Sequence, residues 1–481
     1  EVGTQGTKGL LVDTAGRVVA RAHKNYGLIP GLPAGAAEQH PDTWVDAVRA
    51  VSKELLAAAA TDPKSVRGVG VAGQQHGLVV LDAHGEVVRP AKLWCDTTTA
   101  AEARELTQRF GRPVPTGFTA SKILWLIRHE PESWQRTRRI LLPHDYINWR
   151  LCGQAFMEAG DASGTGLLDA ESRSFRMQDV RALDPGLADL LPPLTAPQDP
   201  GGQLSPGGAD LLGLPEGVVV AVGGGDNMMS AIGSGATEAG IAVLSLGTSG
   251  TVFTRTDRPM IDPKGWIAPF CSSDGGWLPL LCVMNLTGVT EEVVQGFGLG
   301  ASDHEALGQQ AAKVPAGCDG LLWLPYLQGE RVPDLPEATG TLLGMRAQSL
   351  RAPILYRAAM EGTSLNLAVG FGHMQQLGFS CNELRLAGGA AQNPLWRQIL
   401  ADCLGTPIRC LREPESAALG AALQAMWVVR RQEGEGLALA DLTRRCVSVA
   451  AQTTAPGPDR PRYQELLAVF REWLLRLHDV G

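Results

Sequence analysis

Apolar runs broken by glycine turns predict the elements in the middle of this chain. Residues 218–222 are rich in β-branched side chains, as in a buried strand, and three glycines end the run. The small residues that follow Asn227 favour a helix. Asp226 is therefore predicted at a strand-to-helix junction, where its carboxylate either caps the helix or takes part in chemistry.

A second predicted strand, residues 241–246, leads into the turn Gly-Thr-Ser-Gly-Thr at residues 247–251. Glycine permits a tight turn, and the hydroxyls and backbone N–H groups can donate to phosphate oxygens. The turn Gly-Thr-Gln-Gly-Thr at residues 3–7 repeats this pattern at the start of the chain. Such turns are common in β-hairpins, but two matched copies favour two similar halves that each contribute a phosphate-binding turn to one cleft.

The first half of the chain is predicted to form a β-meander followed by a helix and a strand. Residues 9–12 and 18–22 predict paired strands, residues 41–60 have apolar positions at helical spacing, and residues 66–71 predict a buried strand. Because the chain begins within a phosphate-type turn, we expect another strand to precede Glu1. The expected order is then β-β-β-α-β.

Two polar loops follow strands in this half. Gln74, Gln75 and His76 follow the strand at residues 66–71, at the sheet edge where α/β proteins bind ligands. His76 fits either an internally bonded loop histidine or a substrate ligand. Asp96 fits either the N-cap of the next helix or a substrate ligand.

Two further polar segments precede the central turn. His144, Asp145 and Tyr146 are predicted to begin a helix, and residues 161–165, Asp-Ala-Ser-Gly-Thr, are predicted to form a turn. The sequence pattern assigns no chemistry to either segment.

The second half contains another glycine turn at the start of a helix. Residues 350–371 form the longest helical pattern of the chain. Gly388 and Gly389 separate a strand at residues 384–386 from a helix that begins near Pro394. A glycine turn at a helix N-terminus is typical of nucleotide sites.

The amino-acid composition limits the classes of function that fit this chain. The chain has 481 residues, which suggests two large domains or three small ones, and its content of 44% hydrophobic and 19% charged residues is ordinary for a globular protein. A net charge of −8 without a dense Lys/Arg run argues against nucleic acid and anionic membranes and favours a small-molecule partner. Nine cysteines without a CxxC pair match neither a disulfide framework nor a zinc site, and they fit a reducing cytoplasm. No apolar run is long enough to cross a bilayer.

The motifs, taken in order, resemble those of the FGGY carbohydrate kinases over nearly the whole chain. The matching segments are GTQGTK from Gly3, AGQQHG from Ala72, LWCDTTTA from Leu93, GFTASKILWLIRH from Gly117, GGGDN from Gly223, SLGTSGT from Ser245, LPYLQGER from Leu324 and AGGAAQNPLWRQILAD from Ala387. The resemblance implies an α/β fold in which two ribonuclease-H-like domains, of the actin and hexokinase type, flank a nucleotide and sugar cleft.

The resemblance also implies a domain division and an activity. Residues 1–234 would bind the sugar and hold the first phosphate turn, and residues 235–481 would bind ATP. The expected reaction is phosphoryl transfer from ATP, with Mg²⁺, to a sugar, and the loops are most similar to those of members that act on D-xylulose. Ribulose, glycerol and gluconate are the alternative substrates. An actin- or chaperone-like ATPase is the alternative class, which the polar loops disfavour.

Site residues follow from the same resemblance. Asp226 would be the catalytic base. The sugar ligands would be Gln75, His76, Asp96 and Asn227. The nucleotide would contact Thr4, Thr7, Lys8, Gly247, Thr248, Ser249, Gly388, Gly389 and Asn393, although a solvated Lys8 fits the pattern equally well. The family also implies a cytoplasmic enzyme and a homodimer.

Four positions depart from the family pattern. Glu1 replaces the usual Asp, so a longer carboxylate would make the magnesium contact through water. Gln75 stands where bacterial members that act on D-xylulose often have Met, and Thr98 where many relatives have Arg. Ile354 replaces a polar residue in the second family signature.

Overall fold

The computed structural model describes residues 1–480, in which strands and helices alternate along most of the chain. The strands are β1 Gly6–Val12, β2 Val18–Asn25, β3 Glu38–Gln39, β4 Gly68–Val69, β5 Ala72–Gly73, β6 Val79–Leu81, β7 Ala91–Lys92, β8 Arg139–Leu141, β9 Leu168–Asp169, β10 Ser174–Phe175, β11 Pro200–Gln203, β12 Val219–Ala221, β13 Gly224–Gly225, β14 Gly240–Leu246, β15 Gly250–Thr254, β16 Ile267–Cys271, β17 Trp277–Val283, β18 Leu322–Leu324, β19 Thr341–Leu343, β20 Cys381–Ala387, β21 Ile408–Leu411 and β22 Val449–Thr454. The α-helices are α1 Pro41–Ala58, α2 Ala100–Phe110, α3 Thr119–His129, α4 Pro131–Arg136, α5 Pro143–Cys152, α6 Ala159–Ala162, α7 Met177–Leu183, α8 Pro206–Leu212, α9 Asp226–Gly233, α10 Thr287–Gly296, α11 His304–Ala311, α12 Ala352–Gln376, α13 Pro394–Leu404, α14 Ser416–Gln432, α15 Leu439–Cys446 and α16 Arg460–His478.

A seven-stranded sheet organises the second half, with strand order β16-β17-β15-β14-β20-β21-β22. β14 pairs antiparallel with β15 through the turn at residues 247–249, and it pairs parallel with β20. β14 and β20 therefore end at the same edge of the sheet, which places the Gly388 loop beside the second Gly/Thr turn. The largest apolar cluster lies between this sheet and α12.

In the first half, short parallel strands bring the polar loops together. β4 pairs with β12 and β5 pairs with β13, both in parallel. Val2 forms a further parallel bridge to Gly73. Because β5 and β13 end side by side, the loop at residues 74–76 and the start of α9 at residues 226–227 are neighbours.

Helix α14 packs against both halves of the chain. It lies along α9 and also contacts β1, β4 and β12. The Oγ atoms of Ser230 in α9 and Ser416 in α14 are 2.7 Å apart. The predicted domain boundary at residues 234–235 falls between α9 and β14, and α14, on its C-terminal side, packs on the part of the chain that precedes it.

Most of the predicted elements are present, with altered bounds. The helix predicted over residues 350–371 extends to Gln376. The strand predicted over residues 66–71 is instead the pair β4 and β5, because the ladder breaks after Val69 and resumes at Ala72. The prediction of Asp96 as an N-cap is wrong, since α2 begins at Ala100 with Thr99 at the cap. Among residues 1–480, no helix is both long and apolar enough to cross a membrane.

Candidate active site

Asp226 is the first residue of α9, and Gly225 occupies the N-cap position. Asp226 therefore lies one residue after the cap position, although its carboxylate accepts a backbone N–H of the first turn as the capping alternative predicts. Its Oδ1 accepts the N–H of Asn227 at 2.8 Å. Burial, together with the nearby carboxylates of Glu1 and Asp161, raises the pKa of Asp226 to about 7. A carboxylate with this pKa is a far stronger base at neutral pH than an ordinary aspartate.

Asn227 connects Asp226 to the two neighbouring loops. Its Nδ2 donates to Gln75 Oε1 at 3.0 Å and to Asp226 Oδ1 at 3.2 Å. Its Oδ1 accepts from Thr251 Oγ1 at 3.4 Å, in the second Gly/Thr hairpin. The predicted sugar ligands Gln75 and Asn227 are therefore assembled around the predicted base.

His76 has a left-handed backbone, with φ of 65°, which is uncommon for a residue other than glycine. Its Nδ1 lies 2.9 Å from the carbonyl oxygen of Gly164. A carbonyl only accepts, so Nδ1 carries the proton and Nε2 is the acceptor. Burial, with the positive charges of Lys122 and Arg331, lowers the pKa of His76 to about 3, which keeps the ring neutral. Nε2 can therefore accept a hydrogen bond from a sugar hydroxyl.

The His76 loop is held from behind by the start of α3. Lys122 Nζ donates to the carbonyl oxygens of His76, at 2.7 Å, and Gly117, at 2.5 Å. Thr119 Oγ1 donates to the same His76 oxygen at 3.2 Å, and the Phe118 ring stacks on the imidazole at 4.5 Å. Sequence reasoning matched this segment to the family but assigned none of its residues a role.

The first Gly/Thr turn uses its hydroxyls inside the protein. Thr4 Oγ1 donates to Gln74 Oε1 at 2.8 Å and accepts from Trp94 Nε1 at 2.9 Å. Thr7 is buried, with its Oγ1 3.2 Å from the hydroxyl of Tyr26, which itself donates to the carbonyl of Gly3. These bonds fasten the turn to Tyr26, just after β2, and to both polar loops, so the hydroxyls of Thr4 and Thr7 are used within the protein.

The second Gly/Thr turn is open by comparison. Gly247 and Thr248 are exposed and line a cavity of about 1320 Å³. The N–H of Gly247 donates to the Ser249 carbonyl at 3.1 Å and closes the turn. The structure thus presents this turn at the mouth of a large cavity.

The rest of the cavity wall includes the predicted nucleotide loop. Gly389 and Asn393 line it, and Asn393 also caps α13 by accepting the N–H of Trp396. Gly388 has φ of 94°, and a Cβ there would lie 2.4 Å from the Leu246 carbonyl, so only glycine fits. The volume exceeds the roughly 300–1,000 Å³ of ordinary small-molecule pockets, which is enough for a nucleotide.

The opposite wall of this cavity was not predicted. His304 lies with Nδ1 2.8 Å from the Tyr356 hydroxyl and Nε2 2.9 Å from Glu291 Oε2. These side chains come from α10, α11 and α12, and all three line the cavity. Sequence reasoning assigned none of these three residues a role.

Asp96 and Lys8 are bonded within the protein. Asp96 is fully buried: its Oδ2 accepts from Ala37 N and Lys92 Nζ, and its Oδ1 accepts from the backbone and hydroxyl of Thr98. Lys8 Nζ pairs with Glu415 at 2.6 Å. Neither residue is joined by a hydrogen bond to the group around Asp226, and their predicted ligand roles stay predictions.

The donor atoms around Asp226 fit a magnesium ion that is held mainly by substrate. Mg²⁺ prefers oxygen ligands and commonly takes one or two carboxylates, with phosphate and water completing its shell. Glu1 and Asp226 each carry a carboxylate, and the charge of Glu1 contributes to the raised pKa of Asp226. Among the described residues, no group of three or more His, Cys, Asp and Glu side chains could hold a metal alone.

The fold and these residues have counterparts in known proteins. Residues 1–233 match the N-terminal domain, and residues 242–429 the C-terminal domain, of the FGGY family of carbohydrate kinases. A xylulose kinase from Haemophilus influenzae is 39% identical over 91% of this chain and 90% of its own length.

Two solved structures extend the comparison. A xylulose kinase from Rhodospirillum rubrum superposes with a TM-score of 0.89 at 28% identity, covering 99% of this chain and 98% of its own. A gluconate kinase from Lactobacillus acidophilus superposes with a TM-score of 0.90 at 25% identity, covering 99% of this chain and 96% of its own. The two-domain fold of the actin and hexokinase type expected from the motifs is therefore confirmed, and the chain belongs to the FGGY family of carbohydrate kinases.

Proposed function

We propose that this protein transfers the γ-phosphate of ATP to D-xylulose and forms D-xylulose 5-phosphate. The observation that carries the proposal is the match, over about nine-tenths of both chains, to a xylulose kinase at 39% identity. The arrangement of Asp226, Asn227, Gln75 and His76 supports it, because Asn227 is bonded to Thr251 in the hairpin whose turn, at Gly247 and Thr248, lines the nucleotide-sized cavity.

Asp226 is the general base in this proposal. Phosphoryl transfer depends mostly on positioning and on neutralising charge, so the base needs only to accept the proton of the attacking hydroxyl as the oxygen–phosphorus bond forms. The sugar hydroxyl on carbon five attacks the γ-phosphorus, its proton passes to an Asp226 oxygen, and ADP leaves. The raised pKa of Asp226 brings its proton affinity close to neutral pH, where a base works best.

The sugar is held by groups of opposite character. The neutral His76 ring offers Nε2 as an acceptor, whereas Gln75 has a buried Nε2 without a hydrogen-bond partner and so offers a donor. Asp96 does not contact the sugar in this proposal, and it fixes the Thr98 loop by accepting two hydrogen bonds from Thr98. One acceptor and one donor at fixed positions can select among sugars by the arrangement of their hydroxyls.

The nucleotide spans both Gly/Thr turns. Thr248, Ser249 and the backbone of residues 247–250 contact the β- and γ-phosphates, with the backbone of the first turn opposite, and Gly389 and Asn393 border the adenosine. Glu1 would hold a magnesium ion through water, and the ion would neutralise phosphate charge. Closure of the two halves around both substrates would exclude water and limit idle ATP hydrolysis.

The decisive experiment measures ADP release from Mg·ATP with D-xylulose, L-xylulose, D-ribulose, L-ribulose, glycerol, gluconate or no sugar. We expect strong turnover with D-xylulose over a low sugar-free baseline. Preference for another sugar, such as the gluconate of the structural relative, would overturn the substrate but retain the reaction. Hydrolysis that does not depend on sugar would favour an ATPase switch.

Location and assembly are part of the proposal. All nine cysteines are free thiols, which fits the cytoplasm, where ATP is also available. A homodimer is the assembly that the family implies. Sedimentation velocity at micromolar concentration would test it, and a single monomeric species would contradict it.

A further inference from the structure

A buried lysine in the first turn of α3 contacts the loop that carries His76. Lys122 is fully buried, and its Nζ donates to the carbonyl oxygens of His76, at 2.7 Å, and Gly117, at 2.5 Å. Lys92, the other buried lysine of the described residues, instead pairs with two carboxylates. The mechanism above gives Lys122 no part in holding the sugar.

The partners of Lys122 are neutral backbone oxygens, which is unusual for a buried cation. A buried ammonium without a carboxylate is unfavourable, because water no longer solvates the charge. Burial accordingly lowers the pKa of Lys122 to about 7. The neutral amine still has two N–H groups, one for each carbonyl, so both bonds can form in either state. The two carbonyls, and not an ion pair, therefore account for a lysine at this position.

Both carbonyls belong to backbone that needs support from its surroundings. His76 has φ of 65°, a left-handed conformation that residues other than glycine seldom adopt. Gly117 has φ of 92°, and a Cβ there would lie 2.3 Å from the carbonyl oxygen of Trp94. Lys122 thus joins the His76 loop to a turn that packs directly on the Trp94 loop.

The backbone conformation of His76 decides where its ring lies. In this conformation Nδ1 lies 2.9 Å from the Gly164 carbonyl oxygen and the ring stacks on Phe118 at 4.5 Å, which leaves Nε2 for a ligand. A Cβ on Gly164 would lie 2.2 Å from Nδ1, so the imidazole fits closely against this backbone. A different φ at His76 would turn the Cβ, and the ring with it, away from both contacts.

We propose that Lys122 is a positioning residue that holds His76 in its left-handed conformation and so sets the affinity of the sugar site. Thr119 assists it, because its Oγ1 donates to the same His76 carbonyl at 3.2 Å. The inference rests on the proposed role of His76 as a sugar ligand. Since Lys122 is fully buried and acts through His76, its removal should weaken sugar binding no more than removal of the imidazole does.

The test is a double-mutant cycle between Lys122→Met and His76→Asn, with kcat/KM for D-xylulose and KM for ATP as readouts. We expect Lys122→Met to raise KM for the sugar up to about tenfold and to change KM for ATP less than about twofold. In the His76→Asn background, the same substitution should change kcat/KM less than about twofold, because the ring that Lys122 positions is already absent. An unchanged KM for the sugar, additive losses or an equal rise in KM for ATP would overturn the proposal.

A second variant makes the test independent of whether Lys122→Met folds. Thr119→Val removes the longer of the two bonds to the His76 carbonyl. We expect it to raise KM for the sugar about two- to threefold, and we expect this rise to disappear in the His76→Asn background. Persistence of the rise in that background would overturn the proposal.

Ser121→Ala is the matched control. Ser121 is fully buried in the same helix turn, but its Oγ donates to the Phe118 carbonyl at 2.9 Å and not to the His76 loop. KM for the sugar should therefore stay near the wild-type value. A rise equal to that of Thr119→Val would mean that any disturbance of α3 has this effect, and the specific role of the bonds to His76 would be wrong.

Crystal structures of the wild type and of Lys122→Met give a measurement that needs no turnover. We expect His76 to have φ near 65° and to contact the Gly164 carbonyl in the wild type, and to lose this conformation or this contact in the variant. An unchanged His76 in Lys122→Met would overturn the inference even if the enzyme phosphorylates D-xylulose. A displaced His76 in a protein that does not act on D-xylulose would retain the inference and reject the proposed function.

Discussion

The two Gly/Thr turns share a sequence pattern but are used differently by the structure. In the turn at residues 3–7, the hydroxyls of Thr4 and Thr7 are bonded to Gln74, Trp94 and Tyr26. In the turn at residues 247–251, Thr248 is exposed and lines the cavity. The first turn therefore fastens the loops after β5 and β7 together, whereas the second leaves the Thr248 side chain exposed at the cavity wall.

The difference arises from what surrounds each turn. The first lies beside the loops that follow β5 and β7, whose polar side chains reach its hydroxyls. The second lies at the end of a sheet, beside the opening between α10 and the Gly388 loop. A repeated motif thus predicts a repeated backbone shape, but the neighbours of each copy decide which groups remain for chemistry.

Removal of Asp226, which lies between the turns, should have the largest effect. We expect Asp226→Ala to reduce phosphorylation about 10³-fold or more while leaving ATP and sugar binding measurable, because the turns and His76 remain. Steady-state kinetics and calorimetry would check this. Asp210→Ala, an exposed aspartate in α8, is the control and should be near wild type. If Asp226→Ala retained most of its turnover, Asp226 would not be the general base.

Paired threonine variants would test the comparison directly. Thr248→Val should raise KM for ATP by roughly ten- to a hundredfold, because a hydrogen bond to a charged phosphate is lost. Thr4→Val should instead leave Gln74 Oε1 and Trp94 Nε1 without a partner, lower the free energy of unfolding by about 1–3 kcal/mol and raise KM mainly for the sugar.

Kinetics with each substrate varied and urea denaturation would separate the two variants. If Thr4→Val raised KM for ATP as much as Thr248→Val does, both turns would contact phosphate through their hydroxyls. The contrast between them would then be wrong.

Local signals explain which parts of this contrast could be predicted. The turns, their strands and the position of Asp226 depend on glycine and on apolar runs within about ten residues, so the sequence pattern was enough. The partners of Thr4 are 70 and 90 residues away, and Gln424, which accepts from Gly223 N, is 201 residues away. Nothing local marks such contacts. They follow from how β5, β13 and α14 pack.

The fall of kcat/KM at low pH, the acid limb of the profile, should reflect protonation of Asp226 and not of His76. Because the pKa of Asp226 is raised to about 7, it becomes protonated below neutrality, and kcat/KM should fall about tenfold per pH unit there. The pKa of His76 is lowered to about 3, so it stays neutral across this range. His76→Asn should therefore raise KM for the sugar about tenfold without moving the limb. If kcat/KM of His76→Asn no longer fell at low pH, the titrating group would be the histidine.

Lys8, directly after the first turn, should show the smallest effect. Its side chain is 47% exposed and pairs with Glu415, and such partly exposed pairs contribute only about 0–1 kcal/mol to stability. We expect Lys8→Met and Glu415→Gln, alone and together, to give a coupling free energy within that range and to change KM for ATP less than about threefold. The cycle would be measured by urea denaturation and the KM by kinetics. Because the turn is already fastened by Thr4 and Thr7, it should keep its shape without this pair. A tenfold rise in KM for ATP in Lys8→Met alone would mean that Lys8 leaves Glu415 for a phosphate, and the first turn would then contribute a charged side chain that its twin lacks.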